Sequence, residues 1–400
     1  MPKDTSSPFT PGLPVPVEFF VGRLAEIERL KKKMARAESG RLEVAFLIGE
    51  RGIGKSSLAS FVRFLAEREY QMIGLHTFLG GVISLEEMAR RVFDRLLKES
   101  VGTSWHDKVK NFFGDRIRQV DLFGISVEFG APAQDLRRLV HDFAPALRNL
   151  VERVKDEKKG ILLILDDING LASSPDFANW LKSLVDEIAT SQKPLPLCLL
   201  LVGLEERRQA LIGLQPSLAR VFDVVEIWAW SRKETRTFYQ NAFSRVSMEV
   251  EEQALDTLTH FAGDLPVLAH EIGDAAFTLD TDGRIDASDA DKAVMLAADI
   301  VGRKHLEPQV FQAIRSTRYR SILRKLAREP FKVRFERGEV LKRLSGEEVR
   351  VFDNFLRRMS NLGVISRDPE QGAGAYHFTN LLHYLYFSME AERARGMSEP

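Results

Sequence analysis

The sequence predicts an α/β fold, a mainly parallel sheet with helices on both faces, followed by an all-α region and a small helix-and-hairpin domain. Three observations carry that expectation. Runs of residues apolar on both faces (44–48, 161–165 and 197–202) alternate with helical stretches, the pattern of buried parallel strands. A glycine-rich turn, GERGIGKS, directly follows the first run. Beyond residue 233 only helical spacing continues, until a glycine-containing turn separates GVISRD from AYHF, which reads as a hairpin.

Taken in order, residues 26–38 place Ile27, Leu30 and Met34 at three- and four-residue spacing, an amphipathic helix. Strand 44–48, turn 49–56 and helix 57–69, with Leu58, Phe61, Val62 and Leu65 apolar, come next. A second strand is expected at 72–78, and Ser84 with Glu87 reads as a capping box opening a helix to about residue 99. Ile125, Val127 and Phe129 alternate with Ser126 and Glu128, predicting a strand within an insertion at 101–135. One helix is expected over 137–154 and another over 177–189. Helices at 234–246, 251–261, 267–277 and 288–302 make an all-α lid, with no further strands expected before the hairpin. Helices at 319–328, 336–344 and 347–362, then the hairpin, follow the plan of a winged helix-turn-helix domain. The expected organisation is a proline-rich arm (1–17) laid on the first domain, a sheet domain (18–232), the lid (233–304), the winged helix (305–390) and a tail (391–400).

Composition bounds the rest. With 44% hydrophobic and 28% charged residues in 400, the chain is expected to fold into two or three globular domains. The longest apolar stretch, 195–204, contains Pro196 and is about half of a membrane span, so no membrane partner is expected. Residues 1–20 lack the apolar core of a signal peptide, which predicts a cytoplasmic protein. A single cysteine, Cys198, excludes a disulfide within the chain and reads as a buried strand thiol. Formal charge is zero overall, but residues 303–345 hold thirteen Lys and Arg against four Asp and Glu, so a polyanion is expected to meet that region.

GERGIGKS matches G-x-x-x-x-G-K-[ST] at every fixed position, and the strand before it and the helix behind it supply a P-loop's context. Gly49, Gly52, Ile53, Gly54, Lys55, Ser56 and Ser57 are the expected cradle for ATP or ADP, because glycines let successive N–H groups face the phosphates at a helix N-terminus. Lys55 is expected to neutralise the β- and γ-phosphates, and the Ser56 hydroxyl to ligate Mg2+. In ILLILDD, Asp166 at the tip of an adjacent buried strand is the expected magnesium acid, and Asp167 the group that orients or deprotonates water. A solvated strand end is the plainer reading of the two aspartates.

FVGR (20–23), GERGIGKS, LLILDDI, LCLLLVGL, PSLARVF and GDLP occur in an order that resembles ATPases of the AAA+ and STAND type, in particular the origin-recognition-like and archaeal-ATPase-like branches. The resemblance covers about residues 15–385. It implies a P-loop NTPase fold and a catalytic set of Lys55, Asp166, Asp167 and Arg220. It also implies that Val21, Gly22 and Arg23 flank adenine and ribose, and that Pro266 of GDLP contacts the base from the lid. Arg220 would reach a neighbouring subunit's γ-phosphate, implying self-assembly through a shared nucleotide site; a surface salt bridge is the alternative. Asp167 replaces the usual glutamate, strand 197–202 ends without an Asn or Thr sensor, and Val267 stands where a lid arginine is common. These departures imply a slow ATPase that acts as a switch. His377 resembles a phosphate-sensing histidine of some STAND proteins, with a packed wing histidine as the competing reading.

Arg318, Arg320, Arg324 and Lys325, with Arg350, Arg357 and Arg358 on the expected recognition helix, are candidate contacts to duplex DNA. Glu347 and Glu348 at the start of that helix argue against it. The expected function is a nucleotide-controlled DNA-associated assembly or switch protein of initiator, loader or transposition-regulator type. The alternative is a signalling or defence NTPase whose winged helix meets an unidentified protein partner.

Overall fold

The computed structural model describes residues 6–113, 117–121, 125–129, 133–328, 333–368, 371–372 and 374–396. Contacts divide the chain into two compact units, Pro14–Trp228 and a second formed by Ala229–Pro400 together with Met1–Leu13.

The first unit runs α1 (Leu24–Glu38), β1 (Glu43–Ile48), α2 (Lys55–Glu69), β2 (Met72–Phe78), α3 (Leu85–Ser100), α4 (His106–Phe113), β3 (Ile117–Asp121), β4 (Ile125–Phe129), α5 (Ala133–His141), α6 (Phe143–Val154), β5 (Gly160–Asp166), α7 (Pro175–Thr190), β6 (Leu197–Val202), α8 (Glu205–Leu214) and β7 (Asp223–Glu226). Among the described residues β3 and β4 pair only with each other, antiparallel, which accounts for the strand expected at 125–129. The main sheet has the order β2-β5-β6-β1-β7, with all its pairs parallel. β5 and β6 are buried along their whole length, which is why they read as unbroken apolar runs. Phe46, Leu163, Leu165, Leu199 and Leu201 join Phe93, Leu147 and Leu181 of the covering helices in one core.

Several expectations are corrected. β6 lies between β1 and β5, so the strand tipped by the aspartates is not adjacent to the one that feeds the glycine loop. The helix expected at 137–154 is two, α5 and α6, because Pro145 lacks the N–H and crowds the carbonyl of residue 141 in a continuous helix. Ser84 caps α3 by accepting from the Glu87 N–H, but no reciprocal bond closes the box. The Glu87 carboxylate instead receives Arg90 and then Arg91, and these bonds hold it at about 2.

The second unit contains α9 (Arg232–Arg245), β8 (Glu249–Val250), α10 (Glu252–Ala262), α11 (Pro266–Leu279), β9 (Arg284–Ile285), α12 (Ala287–Val301), a π-helical segment (Gly302–Phe311), α13 (Thr317–Leu326), β10 (Arg334–Glu336), α14 (Arg337–Leu341), α15 (Gly346–Val349), α16 (Phe352–Asn361), β11 (Ile365–Arg367), β12 (Ala375–Phe378) and α17 (Leu381–Gly396). Full capping boxes at Ser231/Glu234 and Asp286/Asp289 open α9 and α12. Strands do not stop at 233, since β8 and β9 form a short parallel bridge between the helices. The helix expected at 347–362 is also two, separated around Val351. β10, β12 and β11 form an antiparallel sheet in that order, and helices α13, α14, α16 and α17 pack apolar residues against it.

The arm was expected to lie on the sheet domain. Residues 7–10 lie on the helical unit instead, with Phe9 buried among Phe238, Phe243 and His270, while Val15 keeps the expected contact with the sheet domain through Ser57. Ser7 Oγ donates to Asp274 at 2.6 Å and the Thr10 N–H to His270 Nδ1 at 3.0 Å. Gly273 makes the space: a Cβ there would stand 2.3 Å from the Phe9 ring.

Candidate functional site

The loop between β1 and α2 is shaped by residues that only glycine can replace. Gly49 has φ of 157°, and a Cβ on it would lie 2.8 Å from the Ile227 carbonyl oxygen, while Gly54 caps α2 at φ of 96°. Lys55 and Ser56 are the first two residues of α2, where unpaired N–H groups and the helix dipole favour an anion. Lys55 Nζ donates back to the carbonyls of Gly49 (2.8 Å) and Glu50 (2.6 Å), so the loop wraps its own ammonium group. Burial lowers the Lys55 pKa, and the negative charge of Asp166 opposes that shift.

FVGR reaches this loop. Gly22 and Arg23 both have positive φ, and the nearly buried Arg23 donates from Nη2 to the Ile53 carbonyl at 3.1 Å. Val21, Gly22 and Arg23 therefore belong to the same corner as Ile53. Behind the loop, Ser57 Oγ accepts the Val15 N–H at 3.1 Å.

Asp166 ends β5 and is 3% exposed. Its Oδ2 lies 2.9 Å from His76 Nε2 on β2, and His76 Nδ1 lies 3.2 Å from Ser60 Oγ on α2. Neither His76 nor Ser60 was singled out in the sequence; the available signal was one imidazole in the otherwise apolar strand MIGLHTF. Asp167 is exposed, sits in the left-handed region at φ of 57° and accepts a bond from the Asn169 side chain. Its Oδ2 lies against Gly80, where a Cβ would come within 2.9 Å.

These donors fit magnesium. The Ser56 hydroxyl and the Asp166 carboxylate are hard oxygens, and Asp166 Oδ1 makes no hydrogen bond among the described residues. Mg2+ takes one or two such ligands and completes its octahedron with water and phosphate oxygens. No group of three or more His, Cys, Asp or Glu is placed to hold a metal among the described residues, so such a site depends on the phosphates for its remaining ligands.

Arg220 is exposed at the end of a turn before β7. It lines a depression with Gly40, Leu42 and Pro194, which precede or open β1 and β6. Because the strands are parallel, this is the opposite edge of the sheet from Lys55, about 17 Å away along a six-residue strand. Pro266 is the buried first residue of α11 in the second unit. His377 lies within β12, opposite Arg334 and Ser366, in the packed-strand position. Cys198 is fully enclosed, and burial pushes its thiol up to about 12.

The basic residues of the second unit separate into two groups. Arg318 pairs with Glu347, Arg320 donates to the carbonyls of Phe311 and Ile314, and Lys325 pairs with Glu348. Arg324, Arg350, Arg357 and Arg358 are exposed and make no ion pair among the described residues.

The sheet order, the glycine loop closing on Lys55 and the acid-tipped strand two positions away define a P-loop ATPase fold. Residues 20–201, a little under half of the chain, match the family model described as the AAA ATPase domain. The fold is similar to that of the ORC2 protein of Aeropyrum pernix, solved as ADPNP–ADP complexes, with a TM-score of 0.57, 16% identity and coverage of 95% of this chain and 98% of that one. A Walker-type ATPase of Pyrococcus abyssi matches with a TM-score of 0.53 at 16% identity, covering 92% of this chain and 96% of the other. In sequence, 161 residues are 22% identical to an uncharacterized HTH-type transcriptional regulator of Methanocaldococcus jannaschii; the match takes in 39% of this chain and spans only 37% of that relative. No helix among the described residues is long and apolar enough to cross a membrane.

Proposed function

We propose that this protein binds ATP and ADP with Mg2+ at the loop 49–56, hydrolyses ATP slowly, and uses the nucleotide state to control association with duplex DNA. The observation that carries the reading is the convergence of Lys55, Ser56 and Asp166 at one edge of the sheet, with Lys55 in the field of the Asp166 carboxylate. The nucleotides named for the Aeropyrum pernix ORC2 structure support it. In this reading Lys55 and the loop N–H groups bind the β- and γ-phosphates, Ser56 and Asp166 hold the magnesium shell, and Asp167 orients the attacking water. Val21, Gly22 and Arg23 bind the base and ribose. The short, left-handed Asp167, already engaged by Asn169, and the apolar end of β6 support slow turnover. Arg220, far from its own Lys55, serves a second copy of the chain.

For DNA, α16 is the reading element of a winged helix. Its buried face is Phe352, Phe355, Leu356 and Met359. Asn354, Arg357 and Asn361 recur on the exposed side, with Arg350 just before them, and Arg and Asn are the residues that pair bidentately with guanine and adenine edges. Arg324 and Arg358 supply phosphate contacts. Glu347 and Glu348 do not oppose this, because they sit on the separate α15, one paired with Arg318 and the other buried against Lys325. The test is a salt titration of duplex binding with and without ATP. A slope reduced by replacing Arg324 and Arg358 supports the reading. No binding at low salt in either nucleotide state overturns it in favour of a winged helix that docks on protein.

A further inference from the structure

His76 occupies a slot whose surroundings do not require an imidazole. It is 2% exposed, in a strand otherwise built of apolar and small residues. On β2 it shares a face with Gly74 and Phe78. Gly74 lies so close to α2 that a Cβ there would meet Glu67 and Arg63 at 2.6 and 2.7 Å. Phe78 stacks on the imidazole at 4.4 Å with 27° between the rings, limiting its rotation. A buried imidazole without partners would be costly, yet both ring nitrogens are matched: Nε2 to Asp166 Oδ2 and Nδ1 to Ser60 Oγ. With the proton on Nε2, the ring donates to the carboxylate and accepts from the serine hydroxyl, and both ring nitrogens are satisfied.

We propose that His76 is a positioning residue of the nucleotide site: it fixes the Asp166 carboxylate through Oδ2, leaves Oδ1 for the magnesium shell, and ties that carboxylate to α2, the helix that carries Lys55 and Ser56. Ser60 stands five residues beyond Lys55 on that helix, so the chain Ser60–His76–Asp166 joins α2, β2 and β5 behind the loop. A shift of α2 is thereby passed to the acid on β5 through two hydrogen bonds. The inference rests on the reading that Asp166 serves a magnesium–nucleotide complex. Outer partners of this kind typically change metal affinity by about 10- to 100-fold when removed.

The experiment titrates MgCl2 into full-length protein bound to a fluorescent ATP analogue and records affinity for the analogue with and without the metal. His76→Leu fills the slot without a donor, and its Mg2+ midpoint should rise about tenfold while affinity in EDTA stays within twofold of wild type. His76→Gln, which retains a donor toward Asp166, should return the midpoint to within about threefold of wild type. Ser60→Ala frees the ring without emptying the slot, and should raise the midpoint by about three- to fivefold; it decides the question should His76→Leu fail to fold. An unchanged midpoint in folded His76→Leu, or in Ser60→Ala, overturns the proposal, as does an equal loss of affinity with and without metal, which would mark a purely structural role. Wild-type protein that binds no analogue would instead overturn the nucleotide reading itself.

Discussion

The glycine loop and the basic stretch of 303–345 both announce themselves in the sequence, one by spacing and the other by composition, but only the first keeps its expected form in three dimensions. The loop's shape is carried by backbone: Gly49 and Gly54 hold conformations that other residues avoid, and the first turn of α2 supplies its own donors. The basic stretch depends on where long side chains end. Arg318, Arg320 and Lys325 end on carboxylates and carbonyls of the same unit, whereas Arg324, and beyond the stretch Arg350, Arg357 and Arg358, make no ion pair among the described residues. A site made of main chain is thus fixed by local sequence, while a site made of charges is decided by whatever packs beside them.

The largest expected effect falls on the loop. Lys55→Ala should weaken Mg2+–ATP binding by at least about 100-fold, since it removes the charge that faces the triphosphate; calorimetry measures it, and near-native affinity would refute the role given to Lys55. Gly49→Ala leaves every charge in place yet forces a methyl group within 2.8 Å of the Ile227 carbonyl. It should abolish binding almost as fully and lower the melting temperature. If it bound normally, the backbone would not be the determinant claimed.

Next is the internal use of the basic stretch. Lys325→Ala strands the buried Glu348 carboxylate and should cost about 3 kcal/mol in a denaturant titration. Burial by itself would raise the Glu348 pKa. The bonds from Lys325, Ser345 and Ser321 outweigh it and hold the group at about 2, below its ordinary 4.5. Its stabilising effect, on the order of 3 kcal/mol for a shift of that size, is therefore fully present above pH 4.5 and lost as pH falls toward 2. The stability gap between wild type and Glu348→Gln should close across that interval, and a pH-independent gap would exclude the linkage.

Smaller again are the exposed arginines. Arg357→Ala and Arg350→Ala should each weaken duplex binding by roughly 1–3 kcal/mol if they reach base edges. Arg324→Ala should only flatten the salt dependence by about one charge. Arg320→Ala, whose guanidinium closes the end of the π-helical segment, should lower stability and leave the salt slope unchanged. A reversal, with Arg320 mattering to DNA and Arg357 not, would break the division drawn between the two groups.

Much of the architecture was legible. Fully buried parallel strands leave no polar face to interrupt the pattern, so β1, β5 and β6 stand out, and the helices behind them carry clear apolar faces. The short strand β7 (DVVE) and helix α8 passed unnoticed because neither holds a long apolar run. Pro145 did carry the signal for the break between α5 and α6, although the helical spacing on either side continues through it. His76 was readable only as an anomaly; its partners lie 16 and 90 residues away, and spacing along the chain gives no access to such pairs.

By itself, the sequence determined the glycine loop between β1 and α2, the acid at the tip of β5 and the succession from sheet to helices to hairpin, because each depends on backbone preference or on periodic burial within a few turns of chain. The tertiary structure alone decided that β6 separates the loop from its acid, that His76 joins Ser60 to Asp166, that Phe9 fills the gap over Gly273, and which arginines find partners. Those outcomes depend on strand order and on distances between residues remote in the chain, where desolvation and hydrogen-bond geometry, rather than residue type, select the partner.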